Sequence, residues 1–254
     1  MTTHVPVPDA LDGFAPFGMT HLLAVCACAV LLIALALLGR RLHGTPSEWH
    51  MRQALAIVAL AYWVVYHTWW NWGGMDLITG LPLQACSISG LVAPIALLTL
   101  NRWLRATLYF WAMVFATQAF IQPALTEGPA HLVFWFFWAA HTIIIGCAIY
   151  DLAVLGFRPG WSDFARASIV AVGWAALALA VDIRLGANYG YIGDPPAGVD
   201  IPPLVTAFGP WPQRLVIIGA LAALGFLLAL APWLAVGRRR RAPERKVADE
   251  PSAA

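Results

Sequence analysis

The chain contains 254 residues, of which 61% are hydrophobic and only 11% are charged. Soluble domains carry about 25% charged residues, so this composition excludes a soluble protein and predicts a polytopic membrane protein. The formal net charge is only +2 at pH 7, and the positions of the charges are more informative than their sum. The four cysteines lie inside apolar runs and show neither a disulfide framework nor a metal-ligand spacing. We therefore expect no cofactor.

Seven segments are apolar over the roughly 20 residues that a membrane-spanning helix needs. They cover residues 18–39, 51–71, 82–100, 103–122, 131–151, 164–184 and 213–236. Stretches rich in Gly, Pro or Asn separate them. The predicted fold is all-α, with seven transmembrane helices in residues 18–236. Residues 1–17 lack the basic region of a cleavable signal peptide, so none is expected. They are predicted to be a short extracytoplasmic segment, on the side that the basic residues indicate below.

The basic residues predict the orientation of these spans. Thirteen of the fifteen Lys and Arg residues lie in the loops after spans one, three and five or in the C-terminal tail, which leaves Arg184 and Arg214 on the other side. Cytoplasmic loops carry an excess of basic residues, so we expect the N-terminus outside and the C-terminus in the cytoplasm. The tail, residues 237–254, is predicted to be disordered and to contact anionic lipid rather than nucleic acid.

The stretch LPLQACSISG, residues 81–90, places polar side chains at the start of span three. Pro82 suits the first turn of a helix, and Gln84 and Cys86 follow it within the opening turns. Two interpretations are open. Cysteine is also a small hydrophobe, and serine hydroxyls bond back to the preceding turn; alternatively, Cys86 is a nucleophile just below the membrane surface.

Other polar residues are predicted in the outer halves of the neighbouring spans. His67 and Asn71 lie one turn apart in span two, Gln118 lies in span four, and His141 lies near the middle of span five. This distribution predicts a polar cavity that opens to the extracytoplasmic side. The alternatives are that Asn71 and Gln118 bond neighbouring helices and that His67 caps its helix. His141 stands among Trp and Phe residues and needs a hydrogen-bonding neighbour.

Cys86 and His141 together have the components for nucleophilic acyl chemistry. The thiolate is the attacking species, and an imidazole within reach can accept its proton. Their depths differ, since Cys86 lies about 9 Å and His141 about 18 Å from the nearest loop at 1.5 Å per residue.

Residues 185–212 form the longest predicted extracytoplasmic loop. It opens with Asn188 and Tyr189 and closes with Gly209-Pro210-Trp211-Pro212. Loops of this length are usually functional or disordered, and the Pro and aromatic content favours an ordered lid at the level of the lipid headgroups. An interfacial aromatic anchor is the alternative.

Several of these segments occur in the same order in a known family. LPLQACSISGLVAPIALLT, RATLYFWAMVFATQA, FFWAAHTIII, NYGYIGDPP and FGPWP resemble the YwaF-type bacterial integral membrane proteins over about residues 48–236. That family is similar to eukaryotic transmembrane proteins that move acyl chains between glycerophospholipids and, more distantly, to androgen-induced membrane hydrolases of fatty-acid esters. The resemblance implies a multi-pass protein of the bacterial cytoplasmic membrane, with Cys86 as nucleophile and His141 as its histidine. The family often has His two positions before the Cys, where this chain has Gln84.

The predicted function is therefore a membrane-embedded lipid acyltransferase or lipid-ester hydrolase, with membrane lipids as substrates. Gln84, His67, Asn71, Gln118, Asn188 and Tyr189 are the candidate oxyanion- or substrate-binding residues. The alternative is a transporter or small-ligand receptor that uses the same cavity, although transporters usually keep charged residues at depth and here only Asp182 qualifies. A scaffold is a third possibility. A retinal pigment is excluded, because no span contains a lysine for a Schiff base.

Overall fold

The computed structural model describes residues 11–195 and 203–241, and within these ranges its regular structure is helical. The elements are α1 (Met19–Leu42), α2 (Pro46–Trp70), α3 (Ala85–Thr99), α4 (Arg102–Trp111), a π-helical turn (Ala112–Ala116), α5 (Gln118–Ile121), α6 (Leu132–Ala153), α7 (Trp161–Leu185), a 3-10 turn (Tyr189–Tyr191), α8 (Pro203–Thr206) and α9 (Gln213–Arg241). The predicted all-α class is confirmed.

Five helical segments in the described residues are long and apolar enough to cross a membrane. They are Met19–Leu42, Arg102–Ile121, Leu132–Ala153, Trp161–Leu185 and Gln213–Val236. The two other predicted spans are helical but do not meet this criterion. α2 has 25 residues and begins with a polar turn that contains Glu48 and Arg52, and α3 has only 15 residues.

Hydrogen bonds between distant segments define one end of the bundle, which we call the loop end. The N-terminal segment lies there against the connection from α5 to α6, where the Phe14 N–H donates to the Thr126 carbonyl at 2.8 Å. The connection from α2 to α3 also lies there, and the Tyr189 hydroxyl donates to the Leu77 carbonyl at 3.0 Å. The Tyr62 hydroxyl links the two regions by donating to the Phe136 carbonyl at 2.6 Å.

The opposite end of the bundle, which we call the arginine end, is held by ion pairs. Arg105 donates to both carboxylate oxygens of Asp151, with its Nε at 2.9 and 3.0 Å from them. Arg102 binds Asp163 with two nitrogens, its Nε donating to one carboxylate oxygen at 2.7 Å and its Nη2 to the other at 2.5 Å. Both guanidinium groups also lie over the buried Phe157 ring, 4.8 Å from its centroid. These contacts join α4 to α6 and α7.

The helices between the two ends pack through small side chains. Fully buried alanines from α2, α3, the π-helical turn and α6 meet in one central cluster, and they are Ala56, Ala93, Ala96, Ala112 and Ala148. Gly39 in α1 allows a similar close approach, because a Cβ there would lie only 2.5 Å from Val154. Small residues at helix contacts are typical of membrane bundles, in which packing replaces the hydrophobic effect between helices.

The start of α3 differs from the sequence prediction. The sequence predicts Pro82 in the first helical turn, but the helix begins at Ala85. The carbonyl of Leu83 accepts a hydrogen bond from the Trp174 indole at 2.8 Å, and Gln84 has an extended backbone, with ψ of 143°. A side chain from α7 therefore holds residues 81–84 outside the helix.

The other boundaries follow the predicted breaks, with two additions. The sequence predicts span four as one helix, but a π-helical turn over Ala112–Ala116 interrupts it. α9 continues through Arg241, five residues beyond its predicted end. The part of the predicted tail from 242 onward, the N-terminal residues 1–10 and loop residues 196–202 lie outside the described residues.

Candidate functional site around Cys86

Cys86 is the second residue of α3 and lies at the loop end of the bundle. Its side chain is half-buried and packs against the central alanine-rich cluster. Two phenols from other elements lie close enough to interact electrostatically with the thiol, namely Tyr66 of α2 and Tyr191 of the connection from α7 to α8. Three segments that are far apart in sequence therefore meet at this thiol.

α2 forms one wall of the site. The Trp63 indole donates to the Ser87 carbonyl at 2.8 Å, and a Cβ at Gly90 would lie 3.1 Å from the same indole ring. This close approach fixes the register of α2 against α3. One turn further along α2, Tyr66 and His67 are brought to the level of Cys86.

His67 is a half-buried histidine whose ring lies against Trp63, with centroids 4.4 Å apart. Its Nε2 is buried and has no hydrogen-bond partner among the described residues. It does not cap α2; that position belongs to Asn71, whose amide donates to the His67 carbonyl at 2.9 Å and to the Gly80 carbonyl at 3.2 Å. Asn71 thus bonds the end of its own helix and the connection that follows it, and not a neighbouring helix as the alternative expected.

The connection 187–193 forms the opposite wall, and α7 and α3 hold it in place. The Asp182 carboxylate accepts from the Tyr189 N–H at 2.8 Å, and the Gln84 Oε1 accepts from the Gly190 N–H at 2.9 Å. Gly190 lies directly on Trp174, where a Cβ would come within 2.5 Å of the indole ring.

The other predicted residues of this loop shape its backbone. Asn188 accepts from the Gly193 N–H at 3.1 Å. Tyr189 is buried, and its hydroxyl accepts from the Leu81 N–H at 3.0 Å while donating to Leu77. Both side chains thus link or stiffen the loops around Cys86.

Gln84 is oriented by its contact with Gly190. Because Oε1 is the accepting atom, the amide nitrogen keeps both of its N–H donors, and no described residue accepts them. Gln84 lies two residues before Cys86. Its free amide is therefore a side-chain donor close to the thiol in sequence.

His141 lies on α6 and does not form a hydrogen bond with Cys86. The neighbouring residues Tyr62 and Trp63 bond to the carbonyls of Phe136 and Ser87, so those two carbonyls lie at similar depth. His141 is five residues further along α6, which is about 7.5 Å at 1.5 Å per residue. The predicted difference in depth between Cys86 and His141 stays a prediction.

The buried His141 ring is held in one orientation. Its Nδ1 lies 2.7 Å from the Phe137 carbonyl, so Nδ1 carries the proton of the neutral ring and Nε2 is the accepting nitrogen. Nε2 has no bonded partner in the part of the chain that the structure describes. The hydrogen-bonding neighbour expected for His141 is thus the Phe137 carbonyl, and the free nitrogen can accept a proton.

Gln118 is not part of this site. It lines a separate groove of about 370 Å³ between α4–α5 and α9, together with Tyr109, Met113 and Gly225. Among the described residues, no group of three or more His, Cys, Asp or Glu side chains is arranged to hold a metal ion. The residues that interact with the Cys86 thiol are Tyr66 and Tyr191, while Gln84 precedes it by two residues and His67 follows Tyr66 on α2.

Sequence reasoning missed Tyr66 as a member of the site and treated Tyr191 only as part of a loop. Tyr66 directly precedes His67, so the helical register that placed His67 in the outer half placed Tyr66 there too. Tyr191 belongs to the NYGY segment, but its approach to Cys86 depends on the Gln84–Gly190 hydrogen bond.

The fold and the apolar helices define a multi-pass helical membrane protein. A family model described as the TMEM164 family matches residues 16–230. The chain belongs to this family, whose model covers the whole helical bundle up to α9. No curated protein and no solved structure matches the chain. The more specific resemblance to YwaF-type proteins stays a prediction.

Proposed function

We propose that this protein is a membrane-embedded lipid acyltransferase or lipid-ester hydrolase with Cys86 as its nucleophile. The observation that supports this most directly is a thiol in the first turn of α3, flanked by polar groups from two other elements. The N–H groups of a first helical turn have no intrahelical partners and stabilise negative charge. The same N–H groups would stabilise a thiolate at Cys86 once its proton has been transferred.

The reaction would begin with transfer of the thiol proton to the free Nε2 of His141. Since the two side chains are not hydrogen-bonded, transfer requires a bridging water or a closer approach of α6 when lipid binds. The thiolate attacks the ester carbonyl, and the Gln84 amide donates to the developing oxyanion. The intermediate collapses to a thioester, and the departing lysolipid takes the proton from His141. A second lysolipid or a water then attacks the thioester.

The test is to trap the acyl-enzyme with a lipid ester that carries an alkyne-tagged acyl chain. Wild type, Cys86→Ala, His141→Ala and His67→Ala are compared in native membranes, with Cys26→Ala as control because Cys26 is an exposed thiol outside the site. We expect a tag that neutral hydroxylamine removes, that Cys86→Ala abolishes and that Cys26→Ala retains. Loss in His141→Ala but not in His67→Ala identifies His141 as the base.

Tagging that is unchanged in Cys86→Ala would contradict the mechanism. Absence of tagging in every variant would favour the transporter or receptor alternative, for which the same cavity would bind its ligand without covalent chemistry. Protein amounts are measured in each sample, so that a loss of tagging is not a loss of protein.

We further propose that all seven helical segments cross the bacterial cytoplasmic membrane, with the loop end outside and the arginine end in the cytoplasm. The connections alternate between the two ends of the bundle, as seven antiparallel crossings require. The N-terminal segment contacts residues 126–130 at the loop end, and Arg40 at the end of α1 donates to the Ala153 carbonyl at the arginine end at 3.3 Å.

Single cysteines in a cysteine-free background test this topology. Gly74→Cys and Thr126→Cys lie in connections at the loop end, and we expect both to react with a membrane-impermeant maleimide added to intact cells. Gly44→Cys, in the connection between α1 and α2, should react only after permeabilisation. Equal reactivity at positions 44 and 74 in intact cells would show that α2 does not cross.

A further inference from the structure

We infer that the phenols of Tyr66 and Tyr191 form an oxyanion site for Cys86, an inference that rests on the proposed acyl chemistry. The two residues come from different elements, α2 and the connection 187–193. Hydrogen bonds of close neighbours bring both to the start of α3, since Trp63 donates to the Ser87 carbonyl at 2.8 Å and Gln84 accepts from the Gly190 N–H at 2.9 Å, and both phenols interact electrostatically with the thiol. Neither hydroxyl has a hydrogen-bond partner among the described residues, and neither is a fully buried atom. Two O–H donors without a described partner are therefore present near the start of α3, where charge would develop.

Tyr66 is positioned by aromatic packing. The centroid of its ring lies 5.5 Å from that of Phe136, in an edge-on arrangement. It lies 6.2 Å from the centroid of the Tyr62 ring, to which it is nearly parallel. The neighbouring Tyr62 hydroxyl is occupied by the Phe136 carbonyl. The rings thus fix Tyr66 while its own hydroxyl stays free.

Tyr191 is positioned by its backbone. It has a φ of +61° and follows Gly190, whose φ is +67°. A non-glycine residue in this left-handed region is disfavoured by roughly 1–2 kcal/mol, and such residues persist where the surroundings fix them. Here the Tyr191 N–H donates to the Asn188 carbonyl at 3.2 Å, and the Trp211 indole donates to the Ile192 carbonyl at 3.1 Å.

Free phenols at these positions match the needs of the tetrahedral intermediate. When the thiolate adds to the ester carbonyl, the C–S bond forms and the carbonyl π electrons move to oxygen, which becomes an oxyanion. Each phenol can donate its O–H to that oxygen without losing the proton, because a tyrosine stays protonated near neutral pH. When the C–O bond to the lysolipid breaks, the oxyanion returns to a carbonyl and the hydrogen bonds weaken. The phenols therefore stabilise the intermediate more than the ester.

Tyr66→Phe and Tyr191→Phe remove only the hydroxyl and keep the ring packing. We expect each to lower kcat for acyl exchange on a phosphatidylcholine ester by about 100- to 1000-fold with KM nearly unchanged, as for the loss of one oxyanion donor. Alkylation of Cys86 by iodoacetamide passes through no oxyanion, so its rate should stay at the wild-type value. Tyr62→Phe is the matched control, since the Tyr62 hydroxyl is bound to backbone, and its kcat should not fall.

Full kcat in both Phe variants would overturn the inference while leaving Cys86 as the nucleophile. A parallel fall of kcat and of the alkylation rate would also overturn it, because it would show that the tyrosines only hold the site in shape. If Cys86→Ala retains acyl exchange, the proposed function itself fails, and the oxyanion site fails with it.

Discussion

Replacing Arg105 by methionine is expected to lower the free energy of unfolding by about 3–5 kcal/mol. The substitution keeps a long apolar side chain but leaves the Asp151 carboxylate, which is 2% exposed, without the guanidinium that binds both of its oxygens. The free-energy cost of an unpaired buried charge is far larger than the stabilisation that an exposed ion pair provides. Unfolding by SDS in mixed micelles measures the effect.

The double variant Arg105→Met/Asp151→Leu distinguishes the cost of an unpaired charge from the contribution of the ion pair to the free energy of unfolding. Removing both charges leaves no unpaired ion, so the double variant should lose much less than the sum of the two single variants. Arg41→Met is the control, because Arg41 is an exposed basic residue at the same end of the bundle, and its effect should stay within about 0.5 kcal/mol. Additive losses in the double variant would show that the ion pair does not act as a unit.

Only one half of each ion pair could be interpreted from the sequence. The arginines at one end were readable as a topology signal, because orientation depends only on which connections carry the basic residues. The acidic partners of these arginines could not be predicted from the sequence. Asp151 is 46 residues from Arg105 and Asp163 is 61 residues from Arg102, and only the packing of α4 between α6 and α7 brings them together.

The helices themselves were largely predictable, because apolar runs between Gly, Pro and Asn breaks determine their positions. The start of α3 was not. Local rules place Pro82 in a first helical turn, but the Trp174 indole binds the Leu83 carbonyl and delays the helix to Ala85. A hydrogen bond from a side chain 91 residues away has no local signature.

The candidate site likewise combines residues that the sequence indicates with contacts that only the fold produces. Cys86, Gln84 and His67 could be selected from the sequence, because they are polar residues within apolar segments and the direction of each segment predicts that all three lie near the same end of the bundle. The roles of Asn188 and Tyr189 as residues that shape the loop, and the approach of Tyr191 to the thiol, depend on contacts across about a hundred residues, such as Gln84 with Gly190.

Gly190→Ala is expected to displace the loop from Cys86 and to destabilise the protein more than a glycine substitution at a comparable backbone conformation. Two effects combine at this position. The φ of +67° disfavours a side chain, and the new Cβ would lie 2.5 Å from Trp174. The loop must move, and the Gln84–Gly190 hydrogen bond is lost. We expect the Cys86 thiol to react several-fold faster with a maleimide, measured in protein whose other three cysteines are replaced by serine.

Gly156→Ala isolates the backbone contribution. Gly156 has a φ of +69°, but an added Cβ would meet no neighbouring atom within 4 Å, so only the left-handed conformation is disfavoured, by roughly 1–2 kcal/mol. The difference between the two variants therefore reports the contact of Gly190 with Trp174. If Gly190→Ala loses no more stability than Gly156→Ala and the Cys86 reaction rate is unchanged, the loop does not depend on that contact. A faster reaction together with a larger loss of stability would show that α7 holds the loop over the thiol.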